Sequence, residues 1–112
     1  MPMRFVLQAL CALGVVGLSA CAPIIGDACT VNTECGKGVC IQASFAPGGL
    51  CSLNCNAAAC PAGSTCVTHV IDSDTAGCLL SCTKDEDCRS GYVCRVERDS
   101  MTKVCVGTSG VP

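Results

Sequence analysis

The sequence predicts a small disulfide-rich fold: three tandem four-cysteine units, each with a short β-hairpin, and little helix outside an N-terminal signal peptide. Three observations predict it. The 112-residue chain holds 14 cysteines. Twelve of these recur at a regular spacing. Bulky apolar material is scarce: after residue 20 the only aromatic side chains are Phe45 and Tyr92, and Trp is absent. A domain this small, with so little to bury, needs covalent staples to offset chain entropy. Composition therefore speaks against a conventional core, and the remaining large apolar residues stand singly, mostly beside cysteines.

The first element is a targeting segment. Residues 1–20 begin with a single positive charge, Arg4, and continue as an apolar run from Phe5 to Leu18 broken only by Gln8. That run is shorter than the roughly 18–20 residues needed to span a bilayer. A charged start, a short apolar stretch and small residues after it are the pattern of a secretory signal. It ends in Leu18-Ser19-Ala20-Cys21. This tetrapeptide resembles the lipobox of bacterial lipoproteins. The resemblance implies cleavage before Cys21, diacylglyceryl attachment to its thiol and acylation of the new amino group, with no cofactor beyond that covalent lipid. Two other readings stay open: cleavage before Pro23 after Ala20-Cys21-Ala22, and an uncleaved membrane anchor. Proline fits poorly after a cut site, because its ring fixes φ and removes the N–H. Residues 21–28 then form a lipidated N-terminus and tether. In such lipoproteins Asp after the lipidated Cys marks inner-membrane retention. Ala22 stands there, which points to the outer membrane, on its periplasmic or surface face.

The cysteine units follow. Unit 1 (29–54) holds Cys29, Cys35, Cys40 and Cys51; unit 2 (55–81) holds Cys55, Cys60, Cys66 and Cys78; unit 3 (82–106) holds Cys82, Cys88, Cys94 and Cys105. Residues 107–112 are a tail. The repeat period is 26 to 27 residues, read from Cys29, Cys55 and Cys82. After Cys105 the next position in the pattern is Ser109, so the array stops on a complete quartet. This leaves Cys21 without a disulfide partner, and an odd thiol in an exported protein needs another use. Export favours disulfides over thiolate metal sites. No Cys-x-x-Cys pair suggests zinc or redox chemistry. No metal site is therefore expected.

Within each unit the segment between the third and fourth cysteines reads as a hairpin. Val39-Cys40-Ile41 and Leu50-Cys51 flank Pro47-Gly48-Gly49. Thr65 to Val70 runs into Asp72-Ser73-Asp74, and Val93 to Glu97 and Lys103 to Val106 flank Asp99-Ser100. Short β-prone runs broken by Asp, Ser, Gly or Pro carry this signal. The segment between the first and third cysteines is turn-like, with Gly38, Gly63 and Gly91 near its end. Thr30 and Thr83 follow the first cysteine, and Glu34 and Asp87 precede the second. Unit 2 has Asn56 and three alanines in that stretch instead. Four cysteines allow three connectivities per unit, and sequence alone does not choose among them. The lead scheme joins first to third and second to fourth, because it ties the turn segment to both hairpin strands: Cys29–Cys40, Cys35–Cys51, Cys55–Cys66, Cys60–Cys78, Cys82–Cys94 and Cys88–Cys105. Closing loops of this length contributes roughly 3 kcal/mol each in the chain-entropy picture.

Cys82-x5-Cys88-x5-Cys94-x10-Cys105, with Gly91 before the third cysteine, resembles the start of the Dickkopf N-terminal cysteine-rich region. It is also similar to tandem Cys-rich repeats of exported myxobacterial proteins. The resemblance implies fold and location, not activity; the further Dickkopf cysteines have no counterpart here.

Net charge is −2, and no basic patch interleaved with aromatics suggests nucleic acid. The only histidine, His69, reads as exposed on a hairpin strand, and Asp72 and Asp74 as turn residues rather than a calcium loop. No catalytic residues are assigned. The expected function is a non-catalytic, membrane-anchored interaction or structural module of the cell envelope. Its partners would be the membrane, through the lipid, and a protein or glycan met by the loops Gln42–Gly49, Thr68–Gly77 and Arg95–Lys103. The alternative is a small protease inhibitor presenting one rigid hairpin loop.

Overall fold

The computed structural model describes residues 25–98 and 100–111. The expected signal segment, Cys21, the expected tether up to residue 24, Asp99 and Pro112 lie outside the described residues. What is described is a small disulfide-rich fold of three antiparallel hairpins, with two short 3-10 turns. β1 (Val39–Ile41) pairs with β2 (Leu50–Ser52), β3 (Ser64–Asp72) with β4 (Thr75–Leu80), and β5 (Tyr92–Arg95) with β6 (Val104–Gly107). In each hairpin the third and fourth cysteines of a quartet stand opposite one another: Cys40↔Cys51, Cys66↔Cys78 and Cys94↔Cys105.

Those facing cysteines are not bonded to each other. Six bridges run from the turn segments to the strands: Cys29–Cys40, Cys35–Cys51, Cys55–Cys66, Cys60–Cys78, Cys82–Cys94 and Cys88–Cys105. Among the described residues no cysteine is free. Each turn segment is thus fastened to both strands of its hairpin.

The residues flanking the first cysteine shape that segment. In unit 1, Glu34 Oε1 accepts from the Thr30 N–H (2.6 Å), the Thr30 hydroxyl (3.0 Å) and the Val31 N–H (3.3 Å). In unit 3, Asp87 Oδ2 accepts from the Thr83 N–H (2.9 Å), its hydroxyl (2.8 Å) and the Lys84 N–H (3.2 Å). The carboxylate closes one 3-10 turn at Asn32–Cys35 and another at Asp85–Asp87 by satisfying the turn's orphan donors. Unit 2, which lacks the acid, uses an amide. Asn56 Oδ1 accepts from the Ala76 N–H (2.8 Å), and its Nδ2 donates to the Asp74 carbonyl (3.0 Å), so its turn leans on its own hairpin.

Despite its composition, the chain does build an apolar core. Ile41, Phe45 and Leu50 from the first hairpin, Val67, Val70 and Leu79 from the second, and Tyr92, Val104 and Val106 from the third form one buried cluster. Each residue is alone in sequence, but the hairpins bring their inner faces to one place. Full burial of side chains of this size contributes about 1.5–3 kcal/mol each, as an upper estimate. The shared cluster and the staples act together.

The third unit is also held to the first by polar contacts across long sequence separations. Arg89 lies over the Tyr92 ring, 4.3 Å from its centroid. Its guanidinium donates to the carbonyls of Gly26 (2.9 Å), Pro47 (2.6 Å) and Gly49 (2.6 Å). The Tyr92 hydroxyl donates to Pro47 O (2.9 Å), and the Gly107 N–H donates to Phe45 O (2.6 Å). Burial raises the Tyr92 pKa, which keeps the phenol a donor.

Candidate functional site

These contacts divide the loops expected to be displayed. In Gln42–Gly49, residues Phe45, Ala46 and Gly49 are buried against the third unit, and only Gln42–Ser44, Pro47 and Gly48 are exposed. Three of the eight residues of this loop are therefore structural. In Arg95–Lys103, Glu97 is 5% exposed. Its carboxylate pairs with Arg95 Nε at 2.8 Å and accepts the Val111 N–H at 2.6 Å, so the tail is tied back onto the loop. The Ser100 hydroxyl accepts the Glu97 N–H at 3.0 Å. What remains outward on this loop is Arg95, Val96, Arg98, Met101, Thr102 and Lys103.

In the Thr68–Gly77 loop the exposed residues are Thr68, His69, Asp72, Ser73 and Asp74. Ser73 and Asp74 make the turn between paired Asp72 and Thr75, and the Asp72 carboxylate accepts the Asp74 N–H at 2.8 Å. The Thr75 side chain, first, and that N–H hold the Asp72 pKa below the ordinary carboxylate value. Between Val67 and Asp72 the register slips, and four residues of β3 face one residue of β4. The slip turns His69 out to solvent at φ 62. His69 Nδ1 lies 2.6 Å from the Ser73 carbonyl. A carbonyl only accepts, so Nδ1 carries the proton and Nε2 faces away.

Beside this bulge lies a groove of about 600 Å³. β1 and Phe45 line one wall, residues 69–73 the other, and Arg98 closes it from the third unit. Its apolar surface comes from Val39, Ile41, Phe45, Val70 and Ile71, and its polar groups from Gln42, His69, Asp72, Ser73 and Arg98. The only two non-glycine residues at positive φ among the described residues are His69 and Arg98 (φ 49), and both line it. Such backbone costs of order 1–3 kcal/mol and persists where surrounding structure enforces it, often at binding sites. Gln42 spends its amide on Thr30 O (2.8 Å). Asp72 and His69 spend atoms on their own turn. Arg98 has no ion-pair partner among the described residues. The groove thus offers an apolar floor and one uncommitted cation.

Ser73 meets His69 in this groove through its backbone carbonyl. Sulfur atoms cluster elsewhere: those of Cys29, Cys35 and Cys51 lie within 4.8 Å of one another, as do those of Cys55, Cys60 and Cys66, and of Cys82, Cys88 and Cys105. The clusters arise because two bridges pack side by side in each unit. A thiolate, not a bridged sulfur, is the metal ligand. Cys21, the proposed lipid site, lies outside the described residues. His69, Asp72 and Asp74 occupy the bulge and its turn. Arg89 and Arg98, which organise the molecule and the groove, carried no signal in the sequence, because neither belongs to a motif and their partners are distant. No protein-family model matches the chain, and no curated protein or solved structure matches it.

Proposed function

We propose that this protein is an exported lipoprotein, anchored by lipid on Cys21, whose stapled units form a non-catalytic interaction module of the cell envelope. The observation that carries the binding part is the groove: all three units contribute to it, and it gathers the two non-glycine residues at positive φ and the Arg98 guanidinium, which has no ion-pair partner among the described residues. Disulfides serve such a role by fixing the surface before a partner arrives, which lowers the entropy lost on binding. The anchor rests on Leu18-Ser19-Ala20-Cys21 at the end of an apolar run and on twelve other cysteines that pair among themselves. Two or three acyl chains hold a protein at a bilayer stably, at about 0.8 kcal/mol per buried CH₂. The outer membrane is the proposed location.

Mass spectrometry of the native protein tests the anchor. Loss of residues 1–20 and a lipid mass on Cys21 are expected; a soluble protein beginning at Pro23 overturns it. The groove is tested by Arg98→Glu. Envelope partners cross-linked to the parent protein are expected to be retained at least about tenfold less well by the variant, while its peptide map keeps the six bridges. Equal retention overturns the groove as the binding face. The inhibitor reading draws on the exposed tip of the second hairpin, and a protease panel tests it: no inhibition, with that tip intact or simply cut, removes it.

A further inference from the structure

We propose that β3 is a strand-pairing edge and that its occupant is β3 of a second copy of this chain. The Cys51 N–H donates to Asp27 O (2.9 Å), and the Cys78 N–H donates to Leu53 O (3.1 Å). Both donors point away from their hairpin partners. In an antiparallel ladder this makes Cys40↔Cys51 and Cys66↔Cys78 non-hydrogen-bonded pairs. Cys40 and Cys66 must then turn their own N–H and C=O outward, to the open side of β1 and β3.

Two of the three hairpins close that side with a side chain. Asn32 Oδ1 accepts the Cys40 N–H at 2.8 Å, and Asp85 Oδ1 accepts the Cys94 N–H at 2.8 Å. Asn32 and Asp85 each stand three residues after the first cysteine of their quartet. The second quartet has one residue fewer between its first two cysteines, and the residue at that place, Ala58 counted on from Cys55 or Ala57 counted back from Cys60, has no acceptor. Among the described residues nothing accepts the Cys66 N–H.

β3 also lacks the other protections that natural edge strands carry, such as charge or proline. Ser64 to Ile71 reads Ser-Thr-Cys-Val-Thr-His-Val-Ile, with no acidic residue, lysine, arginine or proline. The bulge begins only after Val67, so Ser64–Val67 stays regularly paired, and Cys66 is exposed.

A second copy fits this edge because the edge is self-complementary. A two-fold axis beside Cys66 sets the two Cys66 residues opposite each other as a narrow pair. Each N–H then donates to the other copy's carbonyl, and the uncharged flanks meet without like-charge repulsion. The contact is short and falls below the ~1,200 Å² of standard interfaces. Association is therefore weak and concentration-dependent.

Amide hydrogen exchange and sedimentation of the purified full-length protein test this. Between about 10 μM and 1 mM the Cys66 amide is expected to slow at least about tenfold as dimer forms. Ala58→Asn, which restores the missing acceptor, is expected to stay monomeric with a Cys66 amide protected at every concentration. Thr102→Asn, exposed on the third hairpin and away from β3, should behave like the parent. A parent that remains monomeric with an unprotected Cys66 amide overturns the proposal and leaves the edge to a strand of another protein. Association of Ala58→Asn equal to the parent's also overturns it, because the contact would then lie elsewhere.

Discussion

Glu34 and Asp87 show how much one carboxylate does in a chain this short. Hydrogen bonds from the Thr30 and Thr83 backbones, first, and from their hydroxyls lower the pKa of Glu34 and Asp87 respectively. A carboxylate with a depressed folded-state pKa binds its proton more readily when unfolded, so its contribution is fully present above the unfolded value. That contribution is lost as pH falls through the lower, folded value. The turns at Asn32–Cys35 and Asp85–Asp87 are thus expected to hold through mild acid and loosen together below the ordinary carboxylate range. NMR titration of the two side-chain carboxyl carbons checks this, with the Thr30 and Thr83 amides moving at the same midpoints. Midpoints at ordinary carboxylate values would mean that the hydrogen bonds do not persist in solution. The matched Thr and acid positions were visible in the sequence of units 1 and 3. Their purpose was not, because the acceptor geometry needs coordinates.

At the scale of the element, the hairpins were legible and their irregularities were not. β-Branched runs flanking Gly, Asp and Ser mark five of the six strands to within a residue or two, since alternation and turn chemistry are local, whereas β4, with Ala76-Gly77 inside it, carries no such run. The register slip in β3 is different: nothing in Thr-His-Val-Ile distinguishes a bulge from a strand, and the slip exists because Val67 and Val70 are both drawn into the core. Glycines divide the same way. Gly63 sits at φ +86 in open space, so only its backbone angle requires glycine. Gly49 sits at φ +79 with a would-be Cβ 1.8 Å from the Cys29 carbonyl oxygen. Gly63→Asn is expected to cost about 1 kcal/mol. Gly49→Ala is expected to cost roughly 3 kcal/mol or more, the range of strain that packing cannot relieve. Denaturant unfolding under non-reducing conditions separates them, and the yield of correctly bridged protein should fall only for Gly49→Ala. Equal costs would mean that the approach of residue 49 to Cys29 is loose in solution.

At the scale of the molecule, the units are not beads on a string. Sequence spacing shows four cysteines closing on themselves and says nothing of what lies between quartets, because Arg89 meets its acceptors 40 to 63 residues away. The consequence is specific. Arg89→Ala removes a charged donor from three carbonyls and a cation from the Tyr92 face, and hydrogen bonds to charged groups are worth about 1.5–3 kcal/mol. All six bridges lie within quartets, so they survive the substitution, and what loosens is the seam between the first and third units. The Gly107 amide, bonded across that seam to Phe45 O, is expected to exchange faster in the variant. The Cys78 amide, bonded to Leu53 O beside the second hairpin, should be unchanged. Tyr92→Phe, which keeps the ring and deletes the donor to Pro47 O, should show a smaller effect of the same pattern. Uniform acceleration of both amides would mean that the three hairpins open as one unit, with the shared core and not the Arg89 contacts setting its stability. No change at Gly107 would mean that the core alone holds the seam.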